Sequence, residues 1–272
     1  MEVLLLMQGS MAKLGLFVLA AGLLFAPLLY SQEAQKPARW YDDIATDVFI
    51  SSAYSYNFNN PDSMKNNFHA FDFDNGSMKI DVMELVMRKG AAKPGETGFR
   101  FDLTAGSSIP RGTRSSGLDI GDLDFHQMYF SYIAPLGKGV RFDAGKFITS
   151  AGYETIEGYD AFNDNYTRSF LFVYAIPFTH TGVKMSYPLL DNVSATLMVA
   201  NGWDNATDNN KSKTLGGQVA VSALRRTNLI VNYMFGPEKP NNNSDNRSLL
   251  DIVASDTISD MLTLGANADL GS

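Results

Sequence analysis

Arginine and aspartate recur two residues apart, as Arg100 with Asp102 and Arg141 with Asp143, and Lys184 occupies a similar setting between apolar neighbours. Successive side chains of a strand point to opposite sides, so an i, i+2 pair puts both charges on one face. A face of that kind can orient ions and small polar solutes through the field between opposed charges. The plainer alternative is that the charges pair across strands and only solvate the face. A second concentration lies between Thr149 and His180, where Glu154, Glu157, Asp160, Asp164 and Arg168 stand among Tyr153, Tyr159, Phe162 and Tyr166. Connections that long, with apolar residues of their own, are generally functional. We expect this one to fold against the charged face and turn its carboxylates toward Arg100, Arg141 and Lys184. The alternative is a surface loop that packs on itself.

Other chemistries find little support. The chain has no cysteine, which excludes disulfides, thiolate metal sites and a cysteine nucleophile. His69, His126 and His180 lack metal-ligand spacing, so no metal site is expected. The stretch from Trp203 to Asn210 is rich in oxygen ligands but lacks the glycine and glutamate spacing of a calcium loop. Two glycosylation sequons, at Asn165 and Asn205, carry no weight by themselves. Asp124, His126 and Ser131 are the nearest thing to a hydrolytic set. Strict alternation puts Ser131 on the face opposite the other two, so no catalytic residue is assigned. No cofactor motif occurs. A net charge of −7 without clustered Lys and Arg argues against a nucleic-acid partner.

With 45% apolar and 19% charged residues, the composition resembles that of an average soluble protein, so the order of residues must decide the class. The one continuous apolar stretch runs from Leu14 to Tyr30, after Lys13 and before Ser31-Gln32-Glu33, the layout of a secretory signal peptide over residues 1–31. Met11-Ala12-Lys13 gives a normal basic start, which marks Met11 as an alternative beginning. The competing reading, a membrane anchor, meets a stretch shorter than the ~20 residues of a helical span. Residues 32–46 form a short periplasmic lead-in, too short for a plug domain. Nothing downstream is apolar enough to cross a bilayer as a helix.

From Asp47 onward the apolar period is two. Phe99, Phe101, Leu103 and Ala105 oppose Arg100, Asp102 and Thr104, and the pattern repeats around residues 50–58, 128–134, 140–144, 183–187, 193–199 and 229–235. Segments near 78–88, 214–223 and 248–255 alternate less cleanly, and 261–269 is placed by spacing. Lys146 is an exception: alternation puts it on the apolar face, so it is expected near a rim or turned inward by a bulge at Gly145. Connections alternate strictly between long, Asn- and Asp-rich links (59–76, 107–122, 149–180, 202–213, 237–247) and short ones. A transmembrane barrel sorts its loops in this way, with tight periplasmic turns and long outer loops, and a Greek-key sandwich does not. The reading is an all-β, antiparallel, up-and-down outer-membrane β-barrel over 47–272, with about eleven strands. An odd count, and an end at Gly271-Ser272 without a terminal aromatic, lead us to expect that the last strands are missing. Counting 169–176 as a strand would give twelve but break the loop parity.

Several strings within these strands and loops carry a likeness: DAGKF at 143–147, RSFLF at 168–172, AIPFTHTG at 175–182, NGWDN at 201–205, DNNKSKTLGGQ at 208–218 and GPE at 236–238. Through them the chain resembles the OmpL-like β-barrel porin-2 family over most of its mature length. The resemblance implies a pore-forming protein of the porin class in a Gram-negative outer membrane, and no known substrate. The leading expectation is passive diffusion of small hydrophilic solutes or ions through a lumen in the outer-membrane lipid, without enzymatic activity. Porins of this kind are often trimeric, so a homo-oligomer is a further expectation. A structural or adhesin-type barrel with a plugged lumen is the main alternative, and a barrel hydrolase a lesser one.

Overall fold

Alternating apolar and polar residues with Gly, Asn and Asp between the runs favour extended strands joined in hairpins. The computed structural model describes residues 39–109, 113, 115, 123–156, 158, 160, 161, 163, 165–223 and 226–272; the expected signal peptide, Glu157 and Asp164 lie outside this set. The strands are β1 (Ala45–Ser55), β2 (Ser77–Lys89), β3 (Thr97–Ala105), β4 (Leu123–Ala134), β5 (Val140–Ile148), β6 (Thr179–Leu190), β7 (Val193–Ala200), β8 (Thr214–Ala223), β9 (Thr227–Pro237), β10 (Asn246–Ser259) and β11 (Leu262–Gly271). Each pairs antiparallel with its sequence neighbours, giving one eleven-stranded sheet in simple sequence order. This is the up-and-down architecture of a porin-like barrel, although β1 and β11 stand at its two edges and the sheet is not closed. Among the described residues no helix is long and apolar enough to cross a membrane.

Boundaries differ from expectation in two places. The first strand takes in Ala45 and Thr46 from the expected lead-in and stops at Ser55. The chain turns there because the Asn75 side chain accepts from Asn57 N at 2.6 Å while the Asn57 side chain accepts from Asn59 N at 3.0 Å. The segment 169–176 is no strand. It contains a short helix, α1 (Phe170–Tyr174), capped by the Ser169 hydroxyl, which accepts from Phe172 N at 3.1 Å.

The distribution of side chains is the reverse of a water-soluble protein. Fully or nearly buried groups include Asp81, Glu84, Asp102, Thr104, Asp124, Asp143, Lys146, Asn232 and Asp251, while Ile50, Met78, Met128, Phe130, Leu197, Leu215, Tyr233 and Leu264 are exposed. Monomeric soluble proteins seldom carry so large an apolar surface, and they seldom bury so many charges. This is the pattern of a porin-like β-barrel wall, in which neighbouring antiparallel strands satisfy one another's backbone and alternate side chains face opposite media.

Among the described residues the register shifts at four places, two of them next to the short turns after Pro188 and Thr257 and two within the wall. Between β1 and β2 the register jumps from Ser51↔Val82 to Ser52↔Ile80, leaving Asp81 as the extra residue. Between β3 and β4 it jumps from Asp102↔Gln127 to Leu103↔Phe125, leaving His126 extra. Each extra residue reverses the facing of everything beyond it.

Connections on the long-loop side carry their own core. Phe71, Ile109, Ala151, Phe172, Ile176 and Phe178 from the loops pack with Val82, Met234 and Leu249 from the strands. The Phe71 and Phe178 rings meet edge to face at 5.7 Å, and Phe172 lies 5.4 Å from Phe178.

Candidate functional site

All five residues expected to line the charged face lie on the inner side of the sheet, in two linked clusters. In the first, on β3 and β4, Arg100 Nε donates to both oxygens of Asp102 at 2.9 and 2.8 Å, and the Gln127 amide donates to Asp102 Oδ2 at 2.8 Å. In the second, on β4, β5 and β6, Arg141 Nε donates to Asp143 at 2.9 and 3.1 Å and Arg141 Nη2 donates to the Ser131 hydroxyl at 2.9 Å. Lys184 approaches Asp143 at 3.9 Å, its ammonium 4.6 Å from the centre of the Phe147 ring. Register explains the second cluster: Asp143 lies opposite Ser131 on one side and Lys184 on the other.

The long loop between β5 and β6 lies against the inner face. Asp160 Oδ2 is 2.6 Å from Arg100 Nη2, the Tyr166 hydroxyl donates to Asp81 on β2 at 2.6 Å, and Ser150 donates to Asn232 on β9 at 2.9 Å. At its start, Tyr153 N donates to Asn267 on β11 at 3.1 Å. One connection therefore touches strands from both sides of the sheet. Burial first, and then the Asp81 carboxylate, holds the Tyr166 phenol well above the usual tyrosine range.

The five expected loop residues do different things. Asp160 meets Arg100. Glu154 turns back on the loop, accepting from Ser169 N at 3.0 and 3.1 Å and from the Ser169 hydroxyl. Arg168 is buried and donates to the carbonyls of Asn165, at 2.9 Å, and Tyr166. So Glu154 does not face Arg100, Arg141 or Lys184 as expected: it serves as an anchor for Ser169, immediately before α1. Glu157 and Asp164 fall outside the described residues.

Lys146 is not on the apolar face. It is 3% exposed and its ammonium is 2.9 Å from Asp124 Oδ1. The backbone at Gly145 has φ 137°, and a Cβ there would sit 2.2 Å from Met128 O, so only glycine permits this turn. Beyond it, both Lys146 and Phe147 are buried, which regular alternation forbids. The hydrolytic set does not assemble: the Ser131 hydroxyl donates to Asp143 at 2.5 Å, while His126 lies 3.8 Å from Asp124. Because His126 is the bulge residue, Ser131 is buried on the inner side with Asp124 and His126, contrary to the expectation of opposite faces.

Residues that the sequence reading passed over complete the inner face. Lys79 lies 3.7 Å from Asp81, and Asn232 donates to Asp251 at 2.7 Å while accepting from Gln218 at 2.9 Å. Asn232 was discoverable, since it stands between the outward Val231 and Tyr233. Lys79 and Asp81 sit at the β2 bulge, where alternation misleads.

An outward apolar wall, an inward charged one, strands in sequence order and loops sorted by length set the class of protein. A family model described as "Putative beta-barrel porin-2, OmpL-like" matches residues 43–272. The chain belongs to that family. No curated protein and no solved structure matches it. The strings that carried the likeness have clear work in this porin-family barrel. Within NGWDN, Asp204 accepts from Phe178 N and Thr179 N at 2.9 and 2.8 Å, fastening the end of the long loop where it enters β6. Within GPE, Glu238 accepts from Trp203 N at 2.7 Å and from the Thr214 hydroxyl at 2.5 Å. Burial pushes both carboxyls above their ordinary range, and these hydrogen bonds oppose it. Arg247 stacks 4.8 Å from the Trp203 ring, tying the same latch to β10.

Proposed function

We propose that this porin-family protein forms a water-filled channel in an outer membrane, through which small hydrophilic solutes or ions diffuse passively. The observation that carries the reading is the inverted distribution of side chains. A wall that spends its aromatic and aliphatic residues on the outside and its ion pairs on the inside is built to separate lipid from water. Arg100, Asp102, Arg141, Asp143 and Lys184 line the lumen in this reading, and the loop from Thr149 to Phe178 narrows it, with the Asp160–Arg100 contact as the narrowing point. Fixed charges of both signs along the lining then act on passing solutes through local fields rather than one-sided attraction.

The test is conductance of the purified full chain in a planar bilayer under a salt gradient. Discrete, voltage-independent steps with a measurable reversal potential are expected, and their absence at saturating protein overturns the channel. A second reading has one observation in its favour: the apolar cluster of Phe71, Ile109, Phe172 and Phe178 sits among the loops and could close that end of the lumen. It describes a plugged, structural barrel, and it predicts that the same bilayers stay silent.

A further inference from the structure

Beside the charged clusters lies a cleft of about 610 Å³ between the long loop and β11, and its chemistry is different. Among the described residues, the charged side chains that line it are Glu154 and Arg168. Both are engaged within the loop: Glu154 accepts from Ser169, and buried Arg168 donates to the Asn165 and Tyr166 carbonyls and lies 5.5 Å from the Phe71 ring. Among the described residues that line the cleft, this acid and this base offset each other, and the carboxylates of Asp72, Asp251 and Asp269 stand behind Thr167 and Asn267, which donate to them. What reaches open space is the amide of the exposed Asn165, with the exposed Thr167 and Ser169 beside it; their hydroxyls donate to Asp72, at 3.0 Å, and to Glu154, and keep only acceptor lone pairs for a ligand.

Tyr153 gives the cleft a built feature. Its backbone N–H donates to Asn267 Oδ1 at 3.1 Å, and its ring rests on β11 at Gly265, where an added Cβ would lie 2.4 Å from the ring carbons. The residue is nonetheless 46% exposed. A glycine inside a strand sacrifices stability and marks a close approach, here that of an aromatic ring to the backbone. The ring is thus supported from below and open to the cleft.

We infer that this cleft binds neutral polyhydroxylated solutes, sugars in particular, with a pyranose ring stacked on Tyr153, its hydroxyls bonded to the Asn165 amide and donating to the Thr167 and Ser169 oxygens. A sugar presents an apolar C–H face, which suits the negative face of an aromatic ring. Around its edge it carries hydroxyls that both donate and accept, as amides and hydroxyls do. An anionic solute finds no free cationic partner among the described lining residues to offset the loss of its hydration. This assignment deepens the channel reading and rests on it for access, since the solute reaches Tyr153 from a water-filled interior.

The experiment is titration calorimetry of the full chain in detergent micelles with maltotriose, and with glutamate as the charged comparison. Maltotriose is expected to bind and glutamate to give no saturable heat. Tyr153→Ala should weaken maltotriose binding by about tenfold, the range of a lost aromatic contact, while Tyr153→Phe stays within about twofold of the parent. Gly265→Ala, which displaces the ring, should resemble Tyr153→Ala, and heat-modifiable migration on gels checks that each variant is folded. Maltotriose that gives no heat, or that binds Tyr153→Ala as well as the parent, overturns the site. The two readings fail separately. Silent bilayers with Tyr153-dependent binding remove the channel and support the cleft, whereas conducting bilayers without such binding overturn the cleft.

Discussion

Replacing Met128 with arginine puts the inverted wall to a quantitative test. Strand β4 has 12 residues. At a rise of roughly 3.4 Å per residue and a tilt of about 40°, they climb roughly 31 Å, enough to cross an apolar band of about 25 Å. Met128 is the sixth residue, close to the midplane, and points outward with 46% exposure. Tyr132, four residues on and 37% exposed, lies roughly 10 Å from that plane by the same geometry. An arginine on the lipid face costs about 2–4 kcal/mol at the midplane and about 0–1 kcal/mol near the interface. On a water-facing surface both substitutions would stay within about 0.5 kcal/mol. Met128→Arg is therefore expected to destabilise by about 2–4 kcal/mol and Tyr132→Arg by much less, read from urea unfolding of protein folded into lipid vesicles. Equal effects at the two positions, or no effect at Met128, would refute the assignment of this face to lipid.

Three further outcomes follow from named contacts. Asp160→Asn removes the acidic partner of Arg100 at the proposed narrowing, so single-channel conductance should rise and the reversal potential shift toward anions; deleting 153–166 should raise conductance further, and an unchanged value would end the constriction idea. Gly145→Ala forces a side chain into a backbone at φ 137° and against Met128 O, which should cost about 1–3 kcal/mol in urea unfolding, with loss of the Lys146–Asp124 pair as a secondary effect. Asp204 and Glu238 hold raised carboxyls outside the strands, so the folded protein binds their protons more tightly than the unfolded chain does. Their contribution to stability is complete below the ordinary carboxylate range and is lost as pH rises through the raised folded values; Asp204→Asn with Glu238→Gln should flatten that part of the profile of unfolding midpoint against pH.

Strands, their order and the sorting of loops were legible because a wall between lipid and water imposes one rule on every strand, and period two is that rule written in residues. Arg100 with Asp102 and Arg141 with Asp143 fell on the inner face for the same reason. Strand β2 read poorly because the extra residue Asp81 shifts it halfway along, so Lys79, Asp81, Val82 and Glu84 are all buried although their numbers do not share one parity. Strand β10 read poorly for a different reason. Its inward Leu249 belongs to the loop core, so that position is apolar where a water-lined wall would be polar. The role of Glu154 was hidden because its partner, Ser169, is 15 residues away within one loop, and no periodicity connects them.

These failures of alternation coincide with the places where the inner face is built. The bulge at His126 brings Asp124 and Gln127, three residues apart, onto one side; Asp124 then pairs with Lys146 and Gln127 with Asp102. The turn at Gly145 delivers Lys146 to that pair, and the bulge at Asp81 supplies the acceptor for Tyr166 of the long loop. A regular strand can offer only every second residue to the lumen, at fixed spacing along the wall. Concentrating charge at one level, and giving a loop something to hold, requires an extra residue or a glycine at that level. The local irregularities are what make the wall specific, and a variant that restored regular pairing at His126 or Asp81 by deleting the extra residue should release the contacts at that level while keeping the strand order intact.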